Sequence, residues 1–254
     1  MNLVFEIFIC FIAGMGAGLG TGFAGLSAAA VISPMLITFL DIPAYEAIGI
    51  ALASDVLASA VSAYTYWKSK NIDLKNGIIM LISVLVFTLI GSFIASFVPN
   101  SAMGGFSKFM TLLVGLKFIF RPVTKNETEN KESDNKKKIL KSVLFGALIG
   151  FICGFVGAGG GMLMLLVLTS ALNYDLKTAV GTSVFIMTFT ALTGAVSHFA
   201  ISGKPNIMLM ILCVLFTFIW ARIGAKWANK ADVKKLNRIT GILLTILGLI
   251  MFIA

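Results

Sequence analysis

The sequence predicts an all-α polytopic membrane protein made of two inverted structural repeats of about five hydrophobic segments each, with short or broken helices at the midplane. Composition is the first observation behind this prediction: 58% of the 254 residues are hydrophobic and 12% are charged, against about 25% charged in soluble domains. At about 20 apolar residues per crossing, the chain holds roughly eight to ten membrane segments. This leaves almost no sequence for a separate soluble domain.

An internal duplication is the second observation. Aligning Gly18 with Gly150 also superimposes Gly22, Phe23 and Gly25 on Gly154, Phe155 and Gly157, and Ala47, Gly49 and Ala63 on Ala179, Gly181 and Ala195. Moving the alignment by a single position then places Gly91 on Gly224 and Gly115 on Gly248. A nearly constant offset along the whole chain indicates two copies of one unit.

Each copy contains five apolar stretches. In the first repeat, residues 1–120, they cover roughly 3–22, 27–40, 44–67, 74–98 and 103–120. In the second repeat, residues 139–254, they cover roughly 139–154, 161–172, 176–201, 207–227 and 233–254. Residues 121–138 are polar, carry charges of both signs and lack periodicity, so they are predicted to form a solvated linker between the repeats.

The distribution of Lys and Arg is the third observation. Basic residues concentrate around Lys70, in the linker 121–138 and between Lys226 and Arg238, and these three loops are predicted to be cytoplasmic. Both termini then lie outside. The loop at Lys70 is placed inside and its repeat counterpart at Lys204 outside, so the halves are predicted to be inserted with opposite topology. The formal net charge of +9 therefore indicates orientation, and no nucleic-acid partner is predicted.

The second apolar stretch of each repeat is too short to cross a bilayer comfortably and follows a glycine-rich break. Such paired interruptions are the best sequence indication of a transport site, and the free N–H groups at a helix start favour a small anion. The predicted backbone ligands are Gly25, Leu26, Ser27 and Ala28 in the first repeat and Gly157, Ala158, Gly159, Gly160 and Gly161 in the second. The alternative is that the glycines only let helices pack closely.

Hydroxyl groups follow in the third stretch of each repeat. Thr182 and Ser183, in the run GTSVF, are predicted to donate to the same anion, and Ser54 is a candidate in the first repeat. Uncharged donors hold an anion and still release it. The alternative is that these hydroxyls bond to the carbonyl four residues earlier in their own helix.

Asp55 is the one acidic residue well inside an apolar stretch. An intramembrane carboxylate is costly and functional by default, and loss of water disfavours its charged form, so Asp55 is the candidate proton carrier. Its counterpart in the second repeat is Met187. A neutral acid hydrogen-bonded to a neighbour is the alternative. His198 is interpreted as a satisfied histidine near the membrane interface rather than as a proton relay.

No catalytic or metal-binding cluster is predicted. A membrane-embedded enzyme needs ionisable or metal-binding residues grouped on neighbouring segments, whereas one histidine and the separated Cys10, Cys153 and Cys213 offer no such group. We therefore predict no enzyme activity, no cofactor and no metal. The predicted partners are a small anionic substrate, membrane lipid and, as an alternative to the monomer, a second copy in a homodimer.

The second repeat resembles a known family. The run GFICGFVGAGGGMLMLLVL followed by LKTAVGTSVFIMTFTALTGAVSHF is similar to the signature of the sulfite exporter TauE/SafE-like membrane transporters. The first repeat departs from it, with Leu26 to Ala30 in place of the glycines and Ile50 to Leu52 in place of T-S-V. The resemblance implies transport of sulfite, sulfonates or other sulfur-containing or organic anions across the bacterial cytoplasmic membrane, often coupled to protons. An anion channel and a non-transporting membrane subunit remain the alternatives.

Overall fold

The computed structural model describes residues 3–120, 135–157 and 160–228, together with 238, 241–242, 245–250 and 253. The regular structure of these residues is entirely helical. The helices are α1 (Leu3–Ala24), α2 (Ala29–Leu40), α3 (Ala44–Lys68), α4 (Leu74–Ala95), α5 (Asn100–Phe120), α6 (Asn135–Val156), α7 (Gly160–Leu166), which continues as a π-helical turn (Val167–Ala171), α8 (Leu176–Ser202) and α9 (Ile207–Ala228). Most of the predicted linker and much of the last predicted stretch lie outside the described residues, and α6 begins within the last part of that linker.

Six of the described helices are long and apolar enough to cross a membrane: α1, α3, α4, α8, α9 and the part of α6 from Ile139 to Val156. The chain is therefore a multi-pass membrane protein, which confirms the predicted all-α polytopic class. The helix α2 has 12 residues and rises only about 18 Å, so it does not cross a hydrocarbon core of about 30 Å. The helix α7 is shorter still, with 7 residues.

Small residues set the packing of the long helices. Along α1, a Cβ atom added to Gly14 would lie 2.5 Å from the Cβ of Phe216, and one added to Gly22 would lie 2.5 Å from the nitrogen of Ala225. The two contacts advance together along both chains, so α1 and α9 run parallel. Close approach of helix backbones at glycine is the usual source of van der Waals stability in membrane helices.

The third helices of the two halves run antiparallel. A Cβ atom added to Gly49 in α3 would lie 3.3 Å from the Cβ of His198, near the end of α8, whereas one added to Gly181, near the start of α8, would lie 3.0 Å from the Cβ of Tyr66. The loops that follow α3 and α8 therefore lie at opposite ends of the helix bundle. We call these the Lys70 end and the Gly203 end.

Uncommon backbone conformations recur where the alignment of the two halves predicts them. Six described residues have a positive φ, which is rare outside glycine. They form three pairs of aligned positions, the third after the same single-position shift: Gly25 (64°) with Gly157 (70°), Asp41 (51°) with Asn173 (57°), and Lys70 (59°) with Gly203 (88°). The helix caps follow the shifted alignment, because Asp73 starts α4 and Asn206 starts α9. These pairs support the internal duplication inferred from the sequence.

Candidate functional site

The first helix of each half ends in a glycine break. Gly25 follows α1 and Gly157 follows α6, and both have a left-handed φ that suits glycine. The N–H of Gly25 donates to the carbonyl of Thr21 at 3.0 Å, and that of Gly157 donates to Cys153 at 2.8 Å. The short helices α2 and α7 follow these breaks.

The two breaks lie directly against each other. The hydroxyl of Ser27 is 3.2 Å from the carbonyl oxygen of Gly157, and a Cβ atom added to Gly161 would lie 2.6 Å from the nitrogen of Ser27. The hydroxyl of Ser183 lies 3.4 Å from the carbonyl oxygens of both Gly25 and Gly161. The structure thus brings together five of the predicted site residues from both halves, and all five are buried.

The start of α2 is occupied by a carboxylate of the protein itself. Asp55 is fully buried and accepts hydrogen bonds from the hydroxyls of Ser27 at 2.7 Å and Ser59 at 2.8 Å. The backbone N–H of Ala28 also points to this carboxylate. Because N–H groups at a helix start attract negative charge, Asp55 fills the position in which the sequence predicts a bound anion.

The start of α7 has a different chemistry. The N–H of Gly160 donates to the sulfur of Cys153, and the Sδ atom of Met187 would lie 3.6 Å from a Cβ added at Gly160. Met187 is the counterpart of Asp55 in the aligned second half. Ala158 and Gly159 lie outside the described residues. Neutral sulfur atoms therefore line the second helix start at the place where a carboxylate lines the first.

Several predicted ligands are already engaged within the protein. The N–H of Leu26 donates to Gly20, and the hydroxyl of Ser54 donates to the carbonyl of Ile50 in its own helix at 2.9 Å. Thr182 accepts a hydrogen bond from the N–H of Asp73 at 3.0 Å, which ties α8 to the start of α4. Of the three predicted hydroxyls, Ser183 is the one with hydrogen bonds to the breaks, and the ligand roles of Ser54 and Thr182 stay predictions.

Comparison with known proteins identifies the family. A family model described as sulfite exporter TauE/SafE matches residues 10–251. The chain belongs to this family. It is 28% identical over 264 residues, covering 98% of this chain and 96% of the relative, to the "Probable membrane transporter protein YunE" of Bacillus subtilis. It is 24% identical over 212 residues, covering 84% and 86%, to the "Probable membrane transporter protein YdhB" of the same organism. No solved structure matches significantly.

Membership of the TauE/SafE family and the six candidate spans together make this chain a membrane transporter. This confirms the resemblance stated from the motifs of the second half. The match extends over both halves, including the first, in which the glycine motif is altered.

Tyr66 and His198 hold the helix ends that precede the two breaks of this TauE/SafE protein, a role that sequence reasoning missed. The hydroxyl of Tyr66 donates to the carbonyl of Gly22 at 3.3 Å, and Nε2 of His198 lies 3.0 Å from the carbonyl of Gly154. The alignment that places Gly22 on Gly154 also places Tyr66 on His198, so the duplication contained the signal. His198 is fully buried and its Nδ1 contacts Tyr45 O at 3.2 Å. The prediction of a histidine with satisfied ring nitrogens agrees with these contacts, and its position near the membrane interface stays a prediction.

Ser59 was also missed. It lies four residues after Asp55, on the same face of α3, a spacing at which helical side chains meet. Its hydroxyl supplies the second side-chain donor to the buried carboxylate, so Asp55 has a donor on each oxygen.

A second polar cluster ties the halves together at the Lys70 end, where Asp73 and Tyr174 precede α4 and α8. The hydroxyl of Tyr174 donates to Asp73 Oδ2 at 2.7 Å, and Asn76 donates to the same carboxylate. Burial raises the pKa of Asp73, but the hydrogen bonds from Tyr174 and Asn76 outweigh it and hold the pKa below its ordinary value. Burial and the neighbouring carboxylate raise the pKa of Tyr174, so this phenol stays a donor.

Proposed function

We propose that this TauE/SafE protein is a secondary active transporter that moves a small anion across the bacterial cytoplasmic membrane together with a proton. The substrate class is sulfite, an organosulfonate or a related sulfur-containing or organic anion, as the family name and the resemblance imply. The observation that carries the proposal is the contrast between the helix starts: Asp55 occupies that of α2, whereas Cys153 and Met187 flank that of α7.

The anion in this proposal binds at the junction of the two breaks, on the side of α7. Backbone groups of Gly160 and Gly161 and the hydroxyl of Ser183 are its candidate ligands in the described part of the second half. The anion replaces Cys153 as the acceptor of the Gly160 N–H in this proposal. The helical run from Gly160 to Ala171 contributes partial positive charge at its start. Ligands of this kind carry no full charge, so they bind an anion without trapping it.

Asp55 is the coupling residue in this proposal. Ser27 contacts both Asp55 at 2.7 Å and the carbonyl of Gly157 at 3.2 Å, so the carboxylate lies within ~6 Å of the second break, where the anion binds in this proposal. Two negative charges at this distance repel by on the order of 3 kcal/mol at an effective dielectric of 20. Protonation of Asp55 removes this repulsion, and a proton therefore accompanies the anion.

The proposed topology has two halves of opposite orientation, residues 1–120 and 139–254, with the linker in the cytoplasm and both termini outside. The antiparallel packing of α3 and α8 and the three pairs of positive φ support it. Cysteine accessibility labelling of Lys70→Cys and Lys204→Cys tests it in intact cells, because the three native cysteines are buried. We expect impermeant reagent to label position 204 alone. Labelling of both positions would contradict the inverted arrangement.

The transport proposal is tested in proteoliposomes that contain the purified full-length protein. We expect saturable sulfite uptake that an inwardly directed proton gradient drives above the external concentration. An anion channel would give flux that never exceeds equilibrium, and a non-transporting membrane subunit would give none with sulfite, sulfonates or carboxylates. Either result would overturn the proposal.

A further inference from the structure

A basic cavity lies between the C-terminal ends of α3 and α9, at the Lys70 end of the bundle and distant in sequence from the breaks. Its volume is about 810 Å³. Three cationic side chains line it, Lys68 from α3 and Arg222 and Lys226 from α9. Thr65 and Ser69 also line the cavity, and their hydroxyls donate to the carbonyls of Val61 and Thr65 at 2.8 Å and 3.3 Å.

The cavity carries more positive charge than its helix ends neutralise. Each helix C-terminus contributes about half a negative charge, so two ends offset about one of the three cations. Within the part of the chain that the structure describes, no carboxylate pairs with these three residues, and the contact found for Lys68 is the face of Tyr64, 4.7 Å from its ring centre. The cavity is thus suited to an anion.

The position of the cavity points to a lipid rather than a free anion. The exposed aromatic residues Tyr64 and Trp227 line it, and the exposed Trp67 lines the cavity next to it. Such residues mark the depth of lipid headgroups. The lining of α3 extends from Ser69 to Val61, about 12 Å toward the membrane centre. A small oxyanion of about five non-hydrogen atoms leaves most of this volume empty, even if each atom takes the roughly 30 Å³ of a whole water molecule.

A second cavity supplies the apolar part of such a site. Tyr64 also lines an adjoining cavity of about 250 Å³. Its other walls are hydrophobic: Ala63, Trp67, Ile72, Leu74 and Phe185. A molecule that joins an anionic headgroup to hydrocarbon matches both cavities, whereas an inorganic anion matches the basic cavity alone.

We propose that the cavity lined by Lys68, Arg222 and Lys226 binds the phosphate headgroup of an anionic phospholipid. Basic pockets between membrane helices are known to take such headgroups. Occupancy of this pocket links the ends of α3 and α9, and therefore stabilises the contact between the helix that carries Asp55 and the second half.

Native mass spectrometry of the full-length protein in detergent tests this proposal with phosphatidylglycerol and phosphatidylcholine as probes. We expect the protein to retain phosphatidylglycerol in preference to phosphatidylcholine. The double variant Arg222→Gln/Lys226→Gln is expected to bind phosphatidylglycerol about thirtyfold more weakly, since each basic residue near an anionic lipid contributes roughly a factor of five. Lys75→Gln, an exposed cation at the same end but outside the cavity, is the control and should bind as the unmodified protein does.

Two outcomes would overturn the proposal: equal phosphatidylglycerol binding by the double variant and the unmodified protein, or displacement of the lipid by inorganic phosphate at the same concentration, which would assign the cavity to a free anion. If size-exclusion chromatography shows that the double variant is misfolded, single variants of Lys226 are compared instead. Lys226→Arg should then retain the lipid and Lys226→Gln should lose about fivefold. No transport is measured in this experiment, so its result is independent of the proposed function.

Discussion

The two helix starts at the centre of this protein follow breaks of similar backbone conformation, but the side chains beside them differ in charge. Gly25 and Gly157 have nearly the same φ, and the breaks that they form pack against each other. Asp55 occupies the start of α2 through Ser27 and Ser59, whereas the start of α7 faces Cys153 and Met187. A duplicated fold thus provides two equivalent positions. A single acidic residue fills one of them, and in the proposed function the other receives the external anion.

Placing a second carboxylate at the start of α7 should erase this difference and have the largest effect. We expect Met187→Asp to abolish anion uptake at neutral pH, because a like charge about 4 Å away costs on the order of 4 kcal/mol, roughly a thousandfold in affinity. Sulfite flux into proteoliposomes measures the effect. Met187→Asn is the control, because asparagine has nearly the same shape as aspartate but no charge. Equal uptake by the two variants would show that charge at this start is irrelevant.

A substitution at Gly161 tests the close packing of the two breaks. We expect Gly161→Ala to lower the free energy of unfolding by about 3 kcal/mol, because its methyl group would meet the backbone of Gly25 to Ser27. Thermal unfolding in detergent measures the loss. Gly105→Ala is the matched control, since a Cβ there meets nothing within 4 Å. An unfolding temperature for Gly161→Ala equal to that of the control would contradict the close packing of the two breaks.

Removal of one hydroxyl from each half compares the strength of the polar contacts at the two breaks. We expect Ser27→Ala to destabilise the protein by about 2 kcal/mol, because it removes a hydrogen bond to a buried carboxylate. Ser183→Ala should cost less than about 1 kcal/mol, because its contacts are 3.4 Å long and reach neutral carbonyls. Both changes are measured by thermal unfolding under the same conditions. The reverse order would place the stronger polar interaction in the second half.

How much the sequence predicts depends on the range of the interaction. The hydrophobic spans and the breaks at Gly25 and Gly157 were predictable, because segment length and backbone conformation are local properties. The contact of Ser27 with Asp55 joins residues 28 apart, and no local pattern indicates which face of α3 meets the start of α2. For the same reason, the sequence does not reveal that Thr182 receives the N–H of Asp73 or that Leu26 caps α1.

The smallest effect is expected for the hydrogen bond between Tyr174 and Asp73, at the Lys70 end of the bundle. The pKa of Asp73 is lowered in the folded protein, so its hydrogen bonds stabilise the fold above the unfolded pKa of about 3.9 and lose their effect as the pH falls through the folded value. We expect Tyr174→Phe to cost less than about 1 kcal/mol at pH 7, since solvent screens this partly exposed group. Thermal unfolding at pH 7 and at a series of pH values below about 3.9 should show that this cost falls as the pH falls. A cost that grows in acid would contradict the assignment.

In the proposed mechanism, the charge of Asp55 makes a proton accompany the anion. The most direct measurement is the number of protons moved per anion in proteoliposomes, recorded with an internal pH dye during sulfite uptake. Glu46→Gln is the control, because that carboxylate also lies on α3 but binds the N–H of Asn206 near the helix start. We predict that Asp55→Asn carries sulfite down its gradient without the proton that accompanies it in the unmodified protein and in Glu46→Gln. An unchanged proton-to-anion ratio in Asp55→Asn would contradict the account.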